Sequence, residues 1–169
     1  MVTMAASSSE DDVDLRRAVG RVQDPEMPVV TIEDLGILRD VRVEEGVAHV
    51  SITPTYAGCP AMDAIRADVE DAVHAALPGV SVVVHTVLAP AWSTDDLTDD
   101  GRRKLAEAGI APPGVSTGSG GAVALTLTVR CPQCDSPDTR ELSRFGSTAC
   151  KALWVCNACA EPFDSFKKH

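Results

Sequence analysis

Two Cys-x-x-Cys knuckles near the C-terminus, CPQC at 131–134 and CNAC at 156–159, constrain this chain more than any other feature. A CxxC turn sets two thiolates on one side of a tight loop. Two such turns face to face supply four sulfurs in a tetrahedron. So short a module buries little core and needs a metal to fold. Cys131, Cys134, Cys156 and Cys159 are therefore the expected ligands of one structural zinc per chain. Thiolate sites also admit rubredoxin-type iron, an iron–sulfur cluster or a redox dithiol pair, and these are the alternatives.

The 21 residues between the knuckles (135–155) hold ELSRF (141–145) and KALWV (151–155). Both suit short antiparallel strands turned at Gly146-Ser147, which is the layout of a zinc ribbon. Cys150 reads as a small buried hydrophobe, with a fifth, exchanging thiol as the alternative. Residues 130–169 hold six Lys/Arg (130, 140, 144, 151, 167, 168) against five Asp/Glu (135, 138, 141, 161, 164), a balance of +1 on a chain of net charge −10. Without a basic stripe and interleaved aromatics, a nucleic-acid partner is not expected.

Upstream, residues 1–12 are small, polar and acidic and are expected to lack structure. The spacing predicts a helix over 13–22, then an extended loop through DPEMPVV (24–30). Residues 37–43 and 47–53 alternate as strands around a Glu44-Glu45-Gly46 turn, with Ala48, Val50 and Ile52 on one face. A helix over 60–77 stops at Pro78-Gly79, and the apolar run 80–88 reads as a central strand. Together these give an α+β fold, a helix packed on a short mixed sheet, over residues 13–110. A loop at 89–98 carries Trp92, and a short helix follows near 99–108. APPGVSTGSGG (111–121) reads as a linker and 122–169 as the ribbon, opened by a strand at 122–130. The sequence start has no signal-peptide pattern and no run long enough to span a membrane, so a cytoplasmic, reducing setting is expected, with no membrane partner.

Cys59 stands apart in PTYAGCPAM (54–62). Gly58 permits a sharp turn and Pro60 suits a first helical turn, so Cys59 lies at or next to a helix N-terminus. There the helix dipole is expected to lower its pKa and ready it to attack an electrophile or ligate a soft metal. A cap cysteine without chemistry is the alternative. His49, His74 and His85 are the candidate bases, and spacing pairs none of them with it. Asp24, Glu26 and Asp34 read as turn-making and capping residues that can line the same surface. Trp92 and the Phe163–Phe166 tail are candidate anchors for a partner, with core packing as the alternative for Phe163.

DPEMPVVTIEDLGIL (24–38) followed by TPTYAGCPAM (53–62) resembles the small α+β domain of the SufT-like iron–sulfur assembly factors. That resemblance implies a reactive or metal-binding Cys59 with Asp24 and Glu26 beside it. PAWSTDDLTDDGRRKLAEAGIAPP (90–113), VRCPQCDS (129–136) and FGSTACKALWVCNACAEPFDSFK (145–167) resemble the PaaD family, also called PaaJ, of phenylacetate degradation. The likeness runs from about residue 13 to 168, through both modules. It implies a non-catalytic accessory subunit of the ring 1,2-phenylacetyl-CoA epoxidase system, partnered with oxygenase and reductase subunits. Its implied task is iron or iron–sulfur maturation of a partner, with a transient iron or cluster at Cys59. A structural zinc-ribbon subunit that scaffolds the oxygenase is the alternative, and homo-oligomerisation stays open. The sequence has no di-iron ExxH pair, no GxGxxG fingerprint and no plant-type ferredoxin spacing, so oxygenation and electron transfer from a nicotinamide belong to other chains.

Overall fold

A computed structural model describes residues 9–56, 58–113 and 129–167. The chain divides into two compact units, Met1–Trp92 and Ser93–His169. The expected boundary at 110/111 falls inside the second unit.

The first unit opens with α1, Ser9–Gly20. Residues 9–12 of the stretch expected to lack structure form its first turn. The Asp12 carboxylate in that turn accepts the Val43 N–H at 3.1 Å. Residues 1–8 lie outside the described residues.

The expected loop at 24–30 is instead a small hairpin of β1, Gln23–Asp24, and β2, Met27–Thr31. The Asp24 side chain closes it by accepting the N–H groups of Glu26 (2.9 Å) and Met27 (2.8 Å). Just beyond, Thr31 and Asp34 exchange side-chain-to-backbone hydrogen bonds.

The alternating segments form β3, Leu38–Glu44, and β4, Val47–Ile52, paired antiparallel. Glu45 and Gly46 turn the chain between them with positive φ. After α2, Met62–Ala76, comes β5, Ser81–Thr86, which pairs parallel to β4. The sheet order is β3-β4-β5, so the run expected to be central is an edge. Its apolar composition suggested cover on both faces, but Val83 is 40% exposed. The central place goes to β4, whose Ala48, Val50 and Ile52 are buried. With Leu15 and Val19 of α1 and Ile65, Val69 and Val73 of α2, they make the core of this unit. Trp92 is not on an exposed loop: it is buried, and its indole Nε1–H donates to the Leu35 carbonyl at 2.7 Å.

The second unit starts with a one-turn helix at Thr94–Asp96, capped reciprocally by Ser93 and Asp96, then α3, Asp99–Glu107, capped by Thr98. Arg102 ties α3 down by donating to the carbonyls of Thr94 and Pro113. Four strands follow: β6, Ile110–Ala111; β7, Thr139–Ser143; β8, Lys151–Cys156; and β9, Pro162–Phe166. Their order is β6-β9-β8-β7, antiparallel except for the parallel β6–β9 pair. Ala111, expected to begin a linker, is therefore a buried strand residue. The rest of that linker from 114, and the expected strand at 122–130 except Val129 and Arg130, lie outside the described residues. Phe163 and Phe166, considered as partner anchors, are buried on β9. None of the described helices is long and apolar enough to cross a membrane.

Candidate metal centre and the Cys59 turn

Each knuckle is shaped by its own backbone. In the first, Asp135 N–H donates to the Cys131 carbonyl at 2.9 Å and Cys131 N–H to the Ser136 carbonyl at 3.0 Å. In the second, Cys156 N–H donates to the Glu161 carbonyl at 2.9 Å. The residue after the second cysteine is left-handed in both, Asp135 at φ 56° and Ala160 at φ 61°. That conformation reverses the chain so that both thiols of a knuckle point the same way. Asn157 joins the two turns, its N–H and its side-chain amide both donating to Asp138 at 2.9 Å.

The result brings all four predicted ligands together, with their sulfurs within 4.8 Å of one another. Cys131 and Cys159 sulfurs are 3.7 Å apart, and those of Cys134 and Cys156 are 3.6 Å apart. Neither pair is a disulfide. A tetrahedron with metal–sulfur bonds of about 2.3 Å has edges of about 3.8 Å, so the spacing fits one soft divalent cation. Cys131 and Cys156 are buried, and Cys134 and Cys159 face solvent. Beneath them Ala111 and Phe163 form a small apolar cluster, with Val129 and Trp154 packed on it. Trp154 pairs across the sheet with Phe163. Cys150 is buried away from the cluster, with its sulfur 3.1 Å from Thr148 Oγ1, which agrees with its reading as a packed small side chain.

The thiols of Cys134, Cys156 and Cys159 do not titrate alike. Cys156 is lowered to about 7, first by the Cys159 N–H and then by that of Ala158. Cys134 receives the Ser136 N–H, yet desolvation and the three neighbouring sulfurs push it up to about 12. Cys159 is also raised, against the help of the Glu161 N–H. Four like charges cannot share so small a space unaided, and a dication makes all four thiolates compatible.

Cys59 sits in the turn before α2, half-buried. Its N–H donates to the Tyr56 carbonyl at 3.3 Å, and its carbonyl accepts the Met62 N–H at 3.4 Å. The expected depression of its pKa is not found. Burial pushes the thiol up, and the carboxylates of Glu26 and Asp24 push it further. The Ala61 N–H and the Thr55 hydroxyl act the other way without prevailing. The helix starts three residues later, at Met62, so its dipole does not outweigh desolvation and two anions. The fold thus brings Asp24 and Glu26 within electrostatic reach of Cys59. Asp34 instead closes its own turn with Thr31. Thr55, buried and hydrogen-bonded to Cys59, was not singled out from sequence. Its position four residues before the cysteine, in a Gly-containing turn, was the available signal. Among the described residues His49 and His85 stack on each other, with Nδ1 and Nε2 3.1 Å apart, and His74 is exposed on α2.

Two family profiles match the sequence. "Iron-sulfur cluster assembly protein" covers residues 12–85, and "PaaD zinc beta ribbon domain" covers residues 116–167. Fold and site thus define a class: an iron–sulfur-assembly-type α+β domain joined in one chain to a PaaD-type ribbon with a four-cysteine metal site. The chain is 45% identical over 151 residues to a protein of Escherichia coli (strain K12) that carries the name of a 1,2-phenylacetyl-CoA epoxidase component, covering 88% of each. It belongs to the PaaD family of phenylacetyl-CoA epoxidase components. It is also 39% identical over 83 residues to the Fe-S protein maturation auxiliary factor YitW of Bacillus subtilis (strain 168), covering 48% of this chain and 79% of YitW. A crystal structure of the DUF59 domain from Bacillus anthracis superposes with a TM-score of 0.54 at 30% identity, covering 59% of this chain and 94% of that one.

Proposed function

We propose that this chain is a cytoplasmic accessory subunit of a ring 1,2-phenylacetyl-CoA epoxidase system in phenylacetate degradation, and that it helps to install iron or an iron–sulfur cluster in an oxygenase or reductase partner. One zinc per chain, held by Cys131, Cys134, Cys156 and Cys159, keeps the ribbon folded and stays with the protein. Cys59 is the group that takes hold of the cargo, with Asp24 and Glu26 beside it. The observation that supports this reading is the surroundings of Cys59: a half-buried thiol next to two carboxylates, inside the domain that matches the iron–sulfur assembly profile. Such a thiol stays protonated until a cation approaches. The cation then draws off the proton, and the anions that opposed the thiolate now favour the metal.

The test is Cys59→Ser in a strain that expresses the whole epoxidase system. The variant protein should fold and keep its zinc, while the purified partner subunits lose iron and epoxidation activity. The raised Cys59 pKa favours a second reading, in which the chain scaffolds the oxygenase without metal transfer. Full iron content and turnover with Cys59→Ser would select that reading.

A further inference from the structure

Phe145 is 77% exposed on a chain with only three Phe, two Trp and one Tyr. Trp92, Phe163 and Phe166 are buried, and Tyr56 and Trp154 are partly covered. An exposed ring on so aromatic-poor a protein calls for an explanation, and the surrounding loop is built to hold it out. Phe145 N–H donates to Ser143 Oγ at 3.1 Å, and Gly146 N–H to the Lys151 carbonyl at 2.8 Å. A Cβ at Gly146 would meet Asp164 Oδ1 at 2.6 Å and the Lys151 backbone at 3.1 Å, so the loop packs closely at this glycine and a side chain there would force its neighbours to shift. Ser147 Oγ donates to Asp164 Oδ2 at 2.7 Å, and the buried Lys151 ammonium lies 3.7 Å from the same oxygen. Lys167 Nζ sits 5.1 Å from the Phe145 ring centroid and is itself held by the Ala149 carbonyl at 2.8 Å. The ring is thus presented on a rigid platform, which lowers the ordering cost of binding.

Its neighbours extend the surface. The β7–β8 register slips between Glu141 and Ser143, and Leu142 at that irregularity is 45% exposed. Arg140 and Arg144 are exposed on either side of it, and among the described residues neither has a carboxylate partner. With Lys167 against Glu141, the patch is cationic on a chain of net charge −10.

We propose that the segment 140–145 of the ribbon, with Lys167, is a docking surface for another protein, one that offers an apolar pocket for Phe145 and Leu142 ringed by Asp and Glu. Charge complementarity favours that occupant. A second copy in two-fold pairing would set this cationic patch against an identical cationic patch. A nucleic acid would find one stacking ring where strand-tracking binders use several, and would meet the repulsion of the acidic remainder. The surface does not depend on the maturation role of Cys59.

The test places a benzophenone amino acid at position 145 of the full chain in native cells grown on phenylacetate, and at Leu88, itself 69% exposed, as the off-patch control. Irradiation should give an adduct to a protein at position 145 and not at 88. Mass spectrometry should map the link to a surface rich in Asp and Glu around apolar residues. The combined charge reversal Arg140→Glu and Arg144→Glu should cut the yield by about tenfold or more, the loss expected of a binding hot spot. Unchanged circular dichroism and zinc content would show that this variant still folds. An adduct to an acidic protein outside the epoxidase system upholds the surface and counts against the proposed partners. No adduct, an adduct to nucleic acid or to a second copy, a link at a non-acidic surface, or a yield indifferent to the reversal would overturn the proposal.

Discussion

Ala160 and Asp135 occupy equivalent places, each left-handed directly after the second cysteine of its knuckle. Alanine bears the full steric cost of that conformation, whereas aspartate tolerates it better. Ala160→Gly should therefore raise the stability of the metal-loaded protein by roughly 0.5–1 kcal/mol, and Asp135→Gly by less, read by chemical denaturation at fixed zinc. Cys59 gives a prediction with a definite sign. Its folded pKa lies above the ordinary thiol value, so folding holds the proton. The stability tied to this group is complete below the ordinary pKa and falls as pH rises above it, because the unfolded thiol ionises first. Iodoacetamide should accordingly label Cys59 in the native protein more slowly than a free thiol at about pH 8, and Glu26→Gln should speed labelling by removing one opposing charge. A native rate equal to that of a free cysteine would contradict this. The place of Cys59 was legible in the sequence, since Gly58 and Pro60 mark a turn into a helix. Its pKa was not, because the burial that chiefly raises it, and after that the closeness of Glu26 and Asp24, exist only in the folded domain.

At the level of elements, a structural metal at the four cysteines predicts that the ribbon strands depend on it for their order and that the sheet of β3, β4 and β5 does not. Removing zinc with a strong chelator should abolish hydrogen-exchange protection in β7, β8 and β9 while leaving that of β4 near its original value. Retained protection in β8 of metal-free protein would refute a structural metal. Acid should act the same way. Bound thiolates have pKa values far below those of free thiols, so metal-linked stability is present at neutral pH and is lost as pH falls and protons displace the cation. Strand β4 was legible because alternation reports one buried face directly. Strand β9 was not, since PFDSF holds a proline and an aspartate that disguise its pattern, and its pairing with β6 joins residues more than fifty positions apart. Trp92 misled for a related reason. Composition suggested an exposed loop, but its indole N–H needed a buried acceptor, and the Leu35 carbonyl supplies one. Trp92→Phe should leave that carbonyl unpaired and cost roughly 1–3 kcal/mol by thermal or chemical unfolding.

Over the whole molecule, two kinds of sulfur site coexist in one acidic chain. One gathers four thiols so closely that they need a cation. The other keeps a single thiol protonated beside two carboxylates. The four-cysteine site could be read from spacing alone, because the CxxC turn is local and its repetition 21 residues on leaves few arrangements (residues 135–155 between them). Metal analysis of the purified chain compares the two sites most directly. Elemental analysis should find one zinc per chain in the wild type and in Cys59→Ser, and little or none in Cys131→Ser. Zinc retained at full content by Cys131→Ser, or lost from Cys59→Ser, would contradict this division between a resident metal and a free thiol.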